Sequence, residues 1–203
     1  MPQAIRTVVL EETGSTNREA MARAAAGESG PLWIMARRQT AGRGRSGRSW
    51  ASEPGNLYAT LLMRFTCAPA DIAQLSLVTG VAAYDAIEEA GAGRLPQGLR
   101  LKWPNDVLIG NAKCVGILAE SIIGSEAVTA VIGVGINLAW HPGDLGREAT
   151  HLALHGVRIA PERMLEELSG AMQRRLAEWD DGRGFAALRS AWLERAGAAG
   201  EAG

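Results

Sequence analysis

The sequence predicts an α+β domain, with a mixed or antiparallel sheet and helices on one face. Three observations lead there. Strand-like segments cluster in the middle of the chain and helix-like segments lie toward its flanks, the order of an α+β fold rather than of alternating βαβ units. Two central strands are joined by the short turn Gly110-Asn111-Ala112, which suits a hairpin and is far too short for a helical crossover. The 203 residues, 47% of them hydrophobic, suffice for one well-buried domain.

Taken in order, RTVVL (6–10) reads as a short strand. STNREAMARAAAG (15–27) reads as a helix, with Thr16 and Glu19 at capping-box spacing and Gly27 as its stop. LWIMARR (32–38) is a buried strand that runs into a loop rich in glycine and arginine. NLYATLLMR (56–64) is a strand with Leu57, Ala59, Leu61 and Met63 at alternate positions. After Pro69 a long helix is predicted over 70–91, apolar at Ile72, Leu75, Leu77, Val78, Val81, Ala82 and Ile87. LRLKW (99–103), DVLI (106–109), KCVGILAES (113–121) and AVTAVIGVGINL (127–138) are strands, the second and third forming a hairpin. Helices over 161–180 and 184–196 close the chain, so one domain is expected over 1–196 and a frayed tail over 197–203.

Composition excludes several classes. No apolar run approaches the ~20 residues of a membrane helix. The N-terminus lacks a cationic start followed by a long apolar stretch, so no signal peptide is expected and the cytoplasm is the default compartment. Cys67 and Cys114 form no framework and read as reduced, packed thiols, Cys114 as apolar filler. His151 and His155 are four residues apart but have no third ligand, and read as packing or surface residues. A net charge of −1 argues against a protein that is basic overall. Yet from Ser29 to Ser52 there is no acidic residue, while Arg37, Arg38, Arg43, Arg45 and Arg48 fall in that window. Such a focus suits a small anion better than a long polyanion, which needs a wide basic face.

The loop QTAGRGRSGRSW (39–50) contains Gly42-x-Gly44-x-x-Gly47, the letters of a dinucleotide-binding turn. That motif needs its third glycine to open a helix, whereas Pro54 and Gly55 follow here and then a strand. RGR repeats bind RNA, but usually from disordered tails, and this loop lies between two buried strands. The remaining reading is a mobile cover over an anionic small molecule. Glycines allow close backbone approach, arginines supply planar forks, and Trp50 offers a flat surface for a nucleobase.

A second stretch, KWPNDVLIGNAKCVGILAES (102–121), sets Lys102, Asn105, Asp106 and Lys113 among apolar runs, and an ammonium held there without an anion would be costly. A third, GVGINL (133–138), ends an apolar strand on Asn137, with glycines that permit close approach of a ligand or backbone. Together with STN (15–17) and RRQTAGRGRSGRSWASEPGNLYATLLMR (37–64), these stretches resemble the catalytic domain of the biotin protein ligase family. The resemblance extends as far as AWLERAG (191–197).

The resemblance implies a biotin/lipoate ligase-like, class II synthetase-like catalytic fold. It implies ATP-dependent attachment of biotin to a lysine of a carboxyl carrier domain, through biotinoyl-5′-AMP and with Mg2+. Carried over by motif, Lys113 and Arg45 are the catalytic candidates. Ser15, Thr16, Asn17, Gln39, Gly42, Arg43, Gly44, Arg45, Lys113 and Gly116 are the biotin-binding candidates. Arg48, Trp50, Lys102, Asn105, Asp106 and Asn137 would serve the nucleotide, with Asp106 nearest the metal. Lipoate and octanoate enzymes share the fold and are the neighbouring alternative, with a non-catalytic biotin-binding remnant as another. Many family members carry an N-terminal winged-helix domain and a C-terminal SH3-like domain. Neither pattern is present here, so DNA binding is not expected and the nucleotide is expected to be less well covered. Exposed strand edges admit a homodimer.

Overall fold

The computed structural model describes residues 5–143 and 148–197; most of the expected tail, 198–203, lies outside them. Seven strands form one sheet in the order β1-β2-β3-β7-β6-β5-β4. They are β1 (Arg6–Thr13), β2 (Leu32–Gln39), β3 (Leu57–Phe65), β4 (Leu99–Lys102), β5 (Asp106–Ile109), β6 (Ala112–Ile123) and β7 (Val128–Ile136). Only β1 and β2 are parallel, and the helix α1 (Thr16–Ala25) supplies the crossover that such a pair needs. All other neighbours are antiparallel, including the β5–β6 hairpin around Gly110-Asn111.

One face of the sheet is covered by α2 (Leu75–Ala90), α3 (Pro161–Trp179) and α4 (Phe185–Ala196). Alternation sends Trp33, Met35, Leu57, Ala59, Leu61, Ile132, Val134 and Ile136 into this main core, against Leu75, Val78, Val81, Met164, Leu168 and Met172. The indole N–H groups that this packing buries find acceptors: Trp33 Nε1 donates to Ser169 Oγ at 3.0 Å and Trp179 Nε1 to Gln74 Oε1 at 2.7 Å. A buried carboxylate, Asp85 on α2, ties the three helices together. It accepts from Arg175 Nε of α3 at 2.7 Å and pairs with Arg195 Nη2 of α4 at 3.0 Å.

The one-face expectation needs a correction. The three long helices do share a face, but α1 lies across the other one, where Ala20 packs with Leu32, Ile34, Leu62 and Val131. The physical reason is in β2. LWIM is buried on both faces, so Leu32 and Ile34 need a cover distinct from that of Trp33 and Met35. Because α1 is short, it shields only part of this second face, and the rest becomes the site.

The capping box is also not formed. Ser15 is the N-cap and makes no side-chain cap bond, while Glu19 pairs with Arg23 at 2.8 Å. The Thr16 N–H is instead satisfied by Gln39 Oε1 from β2, at 2.8 Å. A half-buried amide side chain, Gln39, outcompetes the local cap because it already stands at the helix mouth.

Candidate active site

The floor is built where β6 and β7 lack side chains. Gly116 stands opposite Gly135, and Leu118 opposite Gly133, on the face away from α2–α4. A Cβ on Gly116 or on Gly135 would approach the Trp50 ring to 2.6 Å. One on Gly133 would come within 2.2 Å of Asn17 Oδ1. Real Cβ atoms do not sit so close, so these three glycines are what lets Trp50 and Asn17 lie against the sheet.

The cover is the β2–β3 loop. It folds back on itself: Gln39 N–H donates to Ser52 O at 3.1 Å, Trp50 N–H to Gly42 O at 2.9 Å and Gly44 N–H to Arg48 O at 2.7 Å. At its tip a single 3-10 turn (Arg45–Gly47) holds Ser46 at φ 56° and Gly47 at φ 72°. From there Arg45 Nη1 reaches Asn105 Oδ1, beyond the end of β4, at 3.4 Å. The loop thus starts at β2 and ends above the turn joining β4 to β5, spanning the floor.

One end of the cavity is a polar network at the start of α1. Gln39 Oε1 accepts from Thr16 N and Thr16 Oγ1, and Gln39 Nε2 donates to Ser52 Oγ at 2.9 Å. Thr60 of β3 donates to Asn17 Oδ1 at 2.7 Å, and Asn17 Nδ2 donates to Glu120 Oε2 at 2.8 Å. Ser15, Thr16 and Asn17 are all nearly fully buried. Buried amides and hydroxyls locked in this way are oriented, and can read a ligand's own amide-like groups.

The other end carries Lys113, only 8% exposed. Its ammonium donates to Asp106 and lies 5.3 Å from the centre of the Trp50 ring. A β-bulge puts it there. Val107 pairs with Val115, but Leu108 pairs with Lys113, so β6 carries an extra residue between them. Cys114 and Val115, although adjacent, both enter the main core, and Lys113 joins Gly116 in lining the cavity. The bulged backbone is pinned from outside: Lys113 N–H donates to Glu148 O and Thr150 N–H to Lys113 O, both at 3.0 Å.

The resulting cavity has a volume of about 430 Å³, within the range of small-molecule sites. Arg43, Arg45, Arg48, Lys102 and Lys113 line it, against the single carboxylate Asp106. Two buried donors of its lining residues, Arg43 Nε and Trp50 Nε1, have no partner among the described residues. Unpaired buried N–H groups beside an excess of cations fit an acceptor-rich, anionic ligand. No cluster of three His, Cys, Asp or Glu that could hold a metal is found among the described residues.

Of the sequence-predicted site residues, all but two line this cavity. Gly42 is packed under the loop instead, where a Cβ would meet Trp50 O at 2.5 Å. Asn137 lines a separate small cavity with Trp50 and Lys113, and its Nδ2 holds Thr150 O at 3.0 Å. Its role here is to fasten the segment that pins Lys113. Sequence reasoning did not assign Thr60, Ser52, Tyr58 or Glu120. The available signal for Thr60 was a small hydroxyl side chain between the apolar Ala59 and Leu61. Tyr58 gives its O–H to Glu53 O at 2.7 Å, and burial pushes its ionisation upward. Cys114 is fully buried, with its thiol pushed up to about 12 by burial, which suits filler and not a nucleophile. His151 and His155 do not act together: His151 Nδ1 contacts His141 Nδ1 and His155 Nε2 contacts Thr150 Oγ1, each at 2.8 Å.

The model of the biotin/lipoate A/B protein ligase family matches residues 11–137. A biotin–[acetyl-CoA-carboxylase] ligase of Paracoccus denitrificans is 43% identical over 202 residues, 95% of this chain and 82% of that protein. A ligase of the same name from Mycobacterium tuberculosis is 37% identical, over 84% of this chain and 64% of its own length. Among solved structures, the biotin protein ligase of Leishmania major in complex with biotinyl-5-AMP matches with a TM-score of 0.79 and 28% identity, over 94% of this chain and 81% of that one. A matching family model over most of the chain, a close relative along nearly all of it and a shared fold agree: the chain belongs to the biotin/lipoate A/B protein ligase family.

Proposed function

We propose that this protein is an ATP-dependent ligase that joins biotin to a lysine of a carboxyl carrier domain. In the first step a biotin carboxylate oxygen bonds to the α-phosphorus of ATP and the bond to pyrophosphate breaks, giving biotinoyl-5′-AMP. In the second the carrier lysine amine bonds to the acyl carbon, loses a proton, and AMP departs. The observation that carries this reading is the buried Lys113 ammonium at the end of a glycine floor, under an arginine-bearing loop. Carboxylate and triphosphate repel one another, and a fixed cation in a partly dry cleft is what allows them to meet.

Lys113 neutralises the charge that gathers on the α-phosphate, and Arg45 steadies the two anions from the loop side. Ser15, Thr16, Asn17 and Gln39 read the ureido ring. Arg43 and Gly44 close over the acyl chain, and Gly116 gives it room. Arg48, Trp50, Lys102 and Asn105 serve the nucleotide. Asp106, the carboxylate lining the cavity, is the residue that would hold Mg2+, an ion commonly bound through one or two carboxylates. That ion would supply further neutralisation of the triphosphate. The loop excludes water from the mixed anhydride, which would otherwise hydrolyse. The reading places the chain in the cytoplasm, where ATP is available and the free thiols Cys67 and Cys114 stay reduced. No helix among the described residues is long and apolar enough to cross a membrane.

The test is incubation with biotin, MgATP and a carrier domain. The expected result is a mass gain on one carrier lysine together with biotin-dependent ATP–pyrophosphate exchange. Exchange with lipoate or octanoate but not biotin would move the assignment to a neighbouring acyl substrate. Biotin binding with no exchange would reduce the chain to a binder.

A further inference from the structure

Glu120 accepts from Asn17 in the polar network at the mouth of α1, yet the ligase reading above gives it no role. It lies on β6 two residues past Leu118 and lines the groove beside the site rather than the site itself. Its Oε2 nevertheless touches both halves of the cavity. It accepts from Asn17 Nδ2 at 2.8 Å, and Arg43 Nη2 is 3.6 Å from the same oxygen. Asn17 is in turn held by Thr60 and by Leu118 O, at 2.7 and 3.2 Å, so it cannot turn away. Arg43 sits in the loop where its backbone pairs with Ser49, and its Nε has no other partner among the described residues. Beyond the long Arg45–Asn105 contact at the tip, the Glu120 pair is how the arginines of the glycine-rich loop are tied to the sheet.

We infer that Glu120 is a positioning residue: its carboxylate registers Arg43, and with it the loop, against Asn17 at the mouth of α1. Pocket edge and cover are then set relative to one another by one side chain on rigid β6. The geometry predicts a particular failure when this charge is lost. Lys113 and Asp106 keep their places, so the chemical step is largely unchanged. The loop closes less often, so the acyl substrate is held less well and the loop backbone opens more often. The kinetic part of this inference rests on the biotin ligase reading; the structural part does not.

The test uses the full chain and Glu120→Gln, which keeps an acceptor oxygen for Asn17 but removes the charge facing Arg43. Limited trypsin digestion without substrates reads loop opening directly, because Arg43, Arg45 and Arg48 are cleavage points. Cleavage there should rise about fivefold in Glu120→Gln, the upper end for a partly exposed ion pair, with the thermal midpoint unchanged. In biotin-dependent exchange the KM for biotin should rise by about the same factor, with kcat within about twofold. In an Arg43→Met background the Glu120→Gln change should have no further effect on either readout. Loop cleavage unchanged from the parent overturns the proposal. So does an effect that persists undiminished in Arg43→Met, because the carboxylate would then act through Asn17 alone. A parent chain without biotin-dependent exchange would sink the ligase reading and leave the proteolysis result to decide the role of Glu120.

Discussion

Lys113 combines two properties that oppose each other: a full charge and near-complete burial. Its partner Asp106 and the face of Trp50 offset the desolvation, and both lie at the place where the proposed anions meet. Lys113→Ala should therefore lower biotin-dependent ATP–pyrophosphate exchange by at least about 10²-fold, the scale of losing one preorganised charge. Circular dichroism should report an unchanged fold, and a normal exchange rate would refute the assignment. Arg45 acts from the other side, at a loop tip whose side-chain link to the sheet side is a long 3.4 Å contact with Asn105. Arg45→Gly should let biotinoyl-5′-AMP escape and label bystander lysines at random. Mass spectrometry of an inert added protein measures this, and labelling equal to that of the parent counts against the cover. At this scale the sequence was informative, because charged residues inside apolar runs announce themselves. Thr60 and Glu120 did not, since their partners are 43 and 103 residues away.

Among the elements, β6 and β7 matter most. Their glycines create the floor, and the prediction is steric. Gly135→Ala would push a methyl group to within 2.6 Å of the Trp50 indole. The ring must leave the sheet, at a cost of about 1–3 kcal/mol if the core strains with it. The expected outcome is a large loss of nucleotide affinity and an altered tryptophan fluorescence, read by titration with ATP. The segment after β7 carries a pH prediction. Burial, His141, His155 and Arg158 hold His151 below its ordinary value of 6.5. The unfolded chain therefore takes a proton that the folded chain resists, so this contribution is present above pH 6.5 and fades as the pH falls. Urea unfolding at pH 7.5 and 5.5 should show the loss, and His151→Gln should flatten it.

At the scale of the whole molecule, the sheet divides the labour between its faces: α2, α3 and α4 supply stability on one, and the site occupies what α1 leaves open on the other. Asp85 links those three helices, and its side chain and both arginine partners are a fifth exposed or less. Asp85→Ala would take the shared carboxylate from two guanidinium groups, leaving Arg175 with Glu178 and Arg195 with Ala191 O, and should cost about 3 kcal/mol by urea denaturation, the lower end for breaking a buried pair. Biotin affinity should change little, because no residue of the cluster lines the cavity. The glycine and arginine loop and the hairpin were legible from the chain alone, because composition and spacing are local properties, whereas residues 15–17 and the GVGINL strand entered the site through the resemblance to the ligase family. Which face each residue serves was decided elsewhere. Simple alternation along β6 would place Lys113 on the same side as Val115 and Ile117, in the main core; one bulge turns it into the cavity. Likewise the placement of α1, the diversion of Thr16 from a cap to Gln39, and the closure of Glu120 on Arg43 depend on strands brought together from distant parts of the chain. Local sequence determined which chemical groups this protein has, and only the packed sheet determined which of them meet, because register and bulges are set by pairing between strands that no single segment contains.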